Sequence, residues 1–263
     1  MTDTATETKD PGVPAAGDAP VTITVQNLST VLTDTQAEAI TAALNVQATR
    51  DYNGSCWVTE GLAASVAKVE FIPKGAEVPA DTWHVELLDT SDQEGALGYH
   101  EDEAFGKGVS KPGKPEKAST HSTRGRRADA PSIPLAKVFC KTTQGDGEQS
   151  SEVASHEMLE MLVDPQVVSS LRTITDPTTK RIYPVEVGDP VQSSGKEIDG
   201  VLVANFALPA YFKLPQTANP SQFDFYSVLT APVPAMTPGG YLSYAPESEP
   251  ESWQQEFGSG SGA

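Results

Sequence analysis

The sequence predicts an α+β fold, on three observations. An alternating strand and a capped helix come first, several strands then follow one another, and a second helix precedes an irregular, Pro-rich remainder. Regular βαβ alternation, the mark of a doubly wound parallel sheet, is absent from that order.

Val21-Thr22-Ile23-Thr24-Val25-Gln26 alternates apolar and polar side chains, the period of a half-buried strand. Thr33-Asp34-Thr35-Gln36 fits a capping box, in which the Thr hydroxyl and the Gln side chain satisfy free N–H groups of the first turn. Ala37, Ile40, Ala43, Leu44 and Ala48 follow at helical spacing and predict a helix from about residue 34 to 50. Asn53-Gly54 marks a turn. Ala67–Ile72, Trp83–Leu88, Ala96–His100 and Leu135–Cys140 read as four further strands. A helix is expected over Ser155–Pro165, and Arg181–Val187 reads as a strand ended by Gly188-Asp189-Pro190. No internal repeat is present.

Residues 20–246 are expected to form one domain with a sizeable core, since 38 % of the 263 residues are hydrophobic. Residues 1–19 lack apolar periodicity and read as a disordered tail, as do residues 247–263, which close on a Gly/Ser run. Residues 101–133 read as a flexible basic loop, with seven basic residues and one acidic between Lys107 and Arg127. Cys56 and Cys140 are too few for a disulfide framework and read as separate buried thiols.

The net charge is −18, from 18 basic and 36 acidic residues. Such a chain is poorly suited to nucleic acid, whose phosphates need cations, so no nucleic-acid partner is expected. No apolar run approaches the ~20 residues of a membrane helix, so no membrane partner is expected either. The first residues, Met1-Thr2-Asp3-Thr4-Ala5-Thr6-Glu7, carry neither a basic region nor an apolar stretch, so no secretory signal is expected and a cytoplasmic location is compatible. The acidic excess reads either as a solubilising surface or as clustered carboxylates for cations, and only local spacing separates the two.

That spacing occurs in Ser155-His156-Glu157-Met158-Leu159-Glu160-Met161-Leu162-Val163-Asp164-Pro165. At about 100° per residue, Ala154, Met158, Met161 and Leu162 share one arc and His156, Glu157, Glu160 and Asp164 the other. His156 and Glu160 lie one turn apart and can converge on one ion, with Glu157 beside them and able to reach a water there. The same logic underlies His-Glu-x-x-His helices, with Glu160 in place of the second His. Asp164 is two turns beyond His156, about 12 Å along the axis, and reads as a polar anchor where Pro165 ends the helix. The competing reading is an ordinary amphipathic helix with a solvated acidic face.

Several phrases resemble an uncharacterised bacterial and phage protein family. They are Ala96–His100, Ser155–Pro165, Glu186–Val191, Asp199–Val201, Asn205–Phe212 and Gly239–Tyr241, spread over about residues 21 to 245. The order of elements is also similar to that of zincin-type metallopeptidases. This resemblance implies a zincin-like α+β domain, with a small mixed sheet packed on a long helix and a metal-binding helix, and an irregular C-terminal part. It implies that His156 and Glu160 are metal ligands, that Glu157 is the general base, and that Glu186 or Asp189 supplies the third ligand. Zinc is the expected ion, with Mn, Ca or Mg as alternatives, because two carboxylates beside one imidazole favour harder cations. The implied function is a metal-dependent peptidase or hydrolase acting on a peptide or protein. The alternative is a non-enzymatic structural or interaction protein on a degenerate scaffold of this type, possibly virion-associated; the oligomeric state is not readable. His100 either lines the cleft from an edge strand or simply ends that strand. His84, Tyr241 and Met236 read as packing residues, and His121 as solvated.

Overall fold

The computed structural model describes residues 19–93, 95–102, 133–165 and 172–259. Nearly all of the expected basic loop, His121 within it, and the expected N-terminal tail up to residue 18 lie outside the described residues. The fold is mixed α+β.

A five-stranded sheet forms its first half, in the order β2-β1-β3-β5-β4. Strands β1 (Val21–Asn27), β2 (Val66–Ile72), β3 (Trp83–Leu88) and β5 (Pro134–Phe139) run parallel, and β4 (Gly98–Asp102) closes one edge antiparallel to β5. The alternation in β1 puts Ile23 and Val25 in the core, both fully buried. Helix α1 (Asp34–Val46) opens on the expected capping box, with Thr33 and Gln36 bonding reciprocally. It stops short of residue 50 as an α-helix and continues as one wide π turn, Gln47–Tyr52. Short helices α2 (Cys56–Thr59) and α3 (Cys140–Gly145) follow β1–α1 and β5 respectively, and both cysteines are free and buried.

The second half is more regular than its composition suggests. Strands β6 (Thr173–Asp176), β7 (Arg181–Pro184), β10 (Tyr241–Pro246) and β11 (Gln254–Phe257) form an antiparallel sheet in the order β11-β10-β7-β6. Strands β8 (Lys196–Ile198) and β9 (Val201–Val203) form a hairpin. The expected irregular C-terminal part is thus corrected in these strands, and so is the expected disorder over 247–263 where β11 pairs with β10. Gln254–Phe257 is exposed throughout, so β11 has no buried apolar face that the sequence would display; its ladder with β10, the Arg181–Glu256 pair and the Phe257–Tyr241 contact hold it.

Helix α4 (Ser150–Val163) joins the two halves, packing on β5, β4 and β9. Its seat beside α1 is built from polar groups. The Ser155 hydroxyl donates to Gln47 Oε1 at 2.6 Å and accepts from the Ala204 N–H at 2.9 Å, while Gln47 Nε2 donates to the Ala204 carbonyl at 2.7 Å. All three groups are buried, so each bond also prevents an unpaired polar group. The far end of α4 is fixed by Asp164, which accepts the Arg172 N–H at 2.7 Å as the expected anchor. One apolar cluster, from Ile23 to Leu242, runs through both halves.

Ser155→Ala leaves the Ala204 N–H and Gln47 without their buried partner and should cost about 1–3 kcal/mol. Urea unfolding measures this; a change below about 0.3 kcal/mol would show that the triad does not hold α4.

Candidate metal centre

From Ala154 to its end, helix α4 is buried all round. His156 is 8 % exposed, Glu157 4 % and Glu160 1 %, which removes the solvated acidic face as an account of this helix. The apolar arc faces the core as expected, and the polar arc is covered by β4 on one side and the segment after β7 on the other.

Two glycines permit this coverage. A Cβ at Gly98 on β4 would lie 2.8 Å from Glu157 Cγ, so only a glycine lets the edge strand lie against the helix. His100 is two residues on, on the same face of β4, and is 8 % exposed. A Cβ at Gly188 would lie 2.5 Å from His156 Nδ1, so Gly188 lies flush on the imidazole, and its N–H donates to Glu160 Oε1 at 3.2 Å. That contact delivers Asp189, which opens a 3-10 turn (Asp189–Val191) secured where the Thr237 N–H donates to the Pro190 carbonyl at 2.9 Å.

The expected residues gather as follows. His156 Nε2 lies 3.1 Å from Glu160 Oε1, one turn away, and 3.2 Å from Asp189 Oδ1. Glu186 is placed against the other histidine, 3.9 Å from His100 Nε2. His100 Nδ1 is 3.6 Å from both Glu157 Oε2 and Glu160 Oε2. Donor atoms of His156, Glu157 and Glu160 lie within 4.8 Å of one another, and so do those of His100, Glu160 and Glu186. Asp189 therefore touches His156, whereas Glu186 belongs with His100. Glu160 is shared, one oxygen toward each imidazole.

His100 completes the site from 60 residues' distance along the chain, and the sequence left its role open. A local signal was present in Gly98-Tyr99-His100: on a strand, a glycine two residues from a histidine makes room on the face that the histidine uses. Its neighbours face elsewhere, since Tyr99 and Glu101 both pair with Lys137, at 2.8 and 2.7 Å. His84 is bound to Thr24 Oγ1 at 2.8 Å, and Tyr241 packs on Phe257.

The electrostatics are set by the clustered carboxylates. Burial opposes the charged form of His156, yet the charge of Glu160, hydrogen bonds to Asp189 and Glu160, and the charge of Glu157 raise its pKa well above the usual histidine range. His100 is likewise opposed by burial but raised to about 9 by the Glu157 carboxylate, 3.6 Å from its Nδ1, and by the charges of Glu186 and Glu160. Even so, two buried atoms lack a hydrogen-bond partner, His100 Nε2 and Glu157 Oε2. Imidazole nitrogen and carboxylate oxygen are the donors that zinc and manganese take, and bonds near 2.0–2.2 Å place neighbouring donors roughly 3–3.4 Å apart. The contacts of His156 Nε2 fall in that range. His156, Glu160 and Glu157 form a donor group that could hold a divalent ion, with Asp189 against His156.

Comparison with known proteins matches no family model, no curated protein and no solved structure. Among the described residues, no helix is long and apolar enough to cross a membrane.

Gly188→Ala forces the His156 ring or the Asp189 turn to move and should destabilise the fold by about 1–3 kcal/mol through overpacking. It should also lower zinc retained after dialysis, read by elemental analysis; unchanged retention and stability would mean that the Gly188 contact does not shape the site.

Proposed function

We propose that this protein is a metal-dependent hydrolase, with peptide bonds as the expected substrate class. The observation that carries this reading is the convergence of His156, Glu160 and Asp189 while Glu157 Oε2, an adjacent buried carboxylate oxygen, has no hydrogen-bond partner. A divalent ion held there supplies Lewis acidity and a water of lowered pKa. Glu157, one residue after His156 on the same helix, would be the neighbouring base and accept a proton from a water bound there. His100 Nδ1 lies 3.6 Å from Glu157 Oε2. The parallel sheet edged by antiparallel β4, with His100 facing α4, supports a zincin-like arrangement of strand, helix and substrate edge.

One observation favours a second reading. The donors are buried to the extent seen in closed structural sites, with Glu160 1 % and Asp189 2 % exposed. In that reading the ion ties α4 to the segment after β7, and the protein is a structural or interaction component, virion-associated in the narrowest form of the idea.

Glu157→Gln separates the two. The hydrolase reading predicts chelator-sensitive cleavage of a pooled peptide library in the presence of Zn²⁺ or Mn²⁺. It also predicts a loss of about 10²–10⁴-fold in the variant with metal content unchanged. Cleavage that persists in the variant would refute the role of Glu157. Absence of cleavage in the unaltered protein, with metal bound and unfolding on chelation, would establish the structural reading instead.

A further inference from the structure

We infer that the centre holds two divalent cations, bridged by the carboxylate of Glu160. This rests on the metal-site reading above and extends it to a second ion, whose protein ligands are His100, Glu186 and Glu160.

Glu160 presents Oε1 to His156 Nε2 at 3.1 Å and Oε2 to His100 Nδ1 at 3.6 Å, and one donor atom each of His100, Glu160 and Glu186 lie within 4.8 Å of one another. A carboxylate with one oxygen toward each of two imidazoles is the arrangement that bridges a pair of ions. Two compact donor groups share Glu160 and nothing else, one with His156 and Glu157 and one with His100 and Glu186. His100 Nε2 is independent evidence for a ligand on the second side. It belongs to a side chain more than nine-tenths buried, has no hydrogen-bond partner, and points to Glu186 Oε2 at 3.9 Å, too far for a hydrogen bond. That spacing leaves room for an ion between them.

Charge leads to the same count. Glu157, Glu160, Glu186 and Asp189 surround two imidazoles, which bind metals in their neutral form. One dication with both imidazoles neutral leaves two of the four negative charges uncompensated, and one if His100 keeps its proton, in a largely buried volume, which is costly. Two dications balance all four. A set of two imidazoles and four carboxylates is also the donor complement of dinuclear carboxylate centres on other folds, and its oxygen-rich character suits zinc, manganese or iron.

Zinc binding to chelator-stripped full-length protein is the test, with stoichiometry read by elemental analysis after equilibrium dialysis against ZnCl₂. The inference predicts two equivalents per chain, one in His100→Gln, one in His156→Gln, and fewer than one in Glu160→Gln, because both ions lose a ligand there. Near-UV circular dichroism checks folding, and Glu186→Gln, the least buried ligand, replaces His100→Gln if the latter fails to fold. One equivalent in the unaltered protein, retained when His100 or Glu186 is changed, overturns the second ion and leaves the proposed function standing. Zero equivalents overturns both. Two equivalents, with one surviving in Glu160→Gln, overturns the bridge.

Discussion

The structure depends on the burial of a helix face that carries His156, Glu157 and Glu160. Removing carboxylates from water costs several kcal/mol each unless a partner compensates them. Every element near α4 is arranged around that problem. Gly98 lets β4 bring His100 onto the carboxylates of Glu157 and Glu160. Gly188 lets the segment after β7 lie on the His156 ring, donate its N–H to Glu160 and present Asp189. Ser155 and Gln47 lock the opposite side of the helix to the backbone at Ala204. The cluster is therefore not a surface feature on a finished fold. It lies where the parallel sheet, its antiparallel edge and the C-terminal segments meet.

This arrangement joins stability to chemistry. In the absence of a cation, protons on His100 and His156 offset part of the charge, which is why both imidazoles hold their protons more tightly than usual. A divalent ion competes for the same nitrogens, so cation binding releases protons and adds binding energy to folding. A site of this kind stabilises the fold whether or not it turns over a substrate. Glu157 lies with its donor atom within 4.8 Å of those of His156 and Glu160, and the proposed hydrolase role gives it the part of a base there.

Local patterns were legible in the sequence where a short stretch determines the outcome. Thr33 and Gln36 announced the start of α1, and β1 and β3 followed from alternation. His156 and Glu160 were legible because one helical turn brings them together whatever the surroundings. The burial of their face was not, since an amphipathic pattern ordinarily assigns the polar arc to water. His100 and the separation of Glu186 from Asp189 depend on β4 and on the chain after β7, and spacing carries no information on how those elements meet. Strand β11 escaped for a similar reason: its exposed Gln254-Gln255-Glu256-Phe257 has no apolar alternation, and its partner β10 supplies the order.

A metal ion at α4 is the central claim, and its location is directly measurable. Crystals grown with ZnCl₂ and measured on both sides of the zinc absorption edge give an anomalous difference map that needs no assumption about ligands. The account predicts a strong peak within bonding distance of His156 and Glu160, bounded by Asp189, in the space between α4 and the turn after Gly188. Anomalous density confined to surface carboxylates, with His156 still paired directly to Glu160 and Asp189, would contradict it.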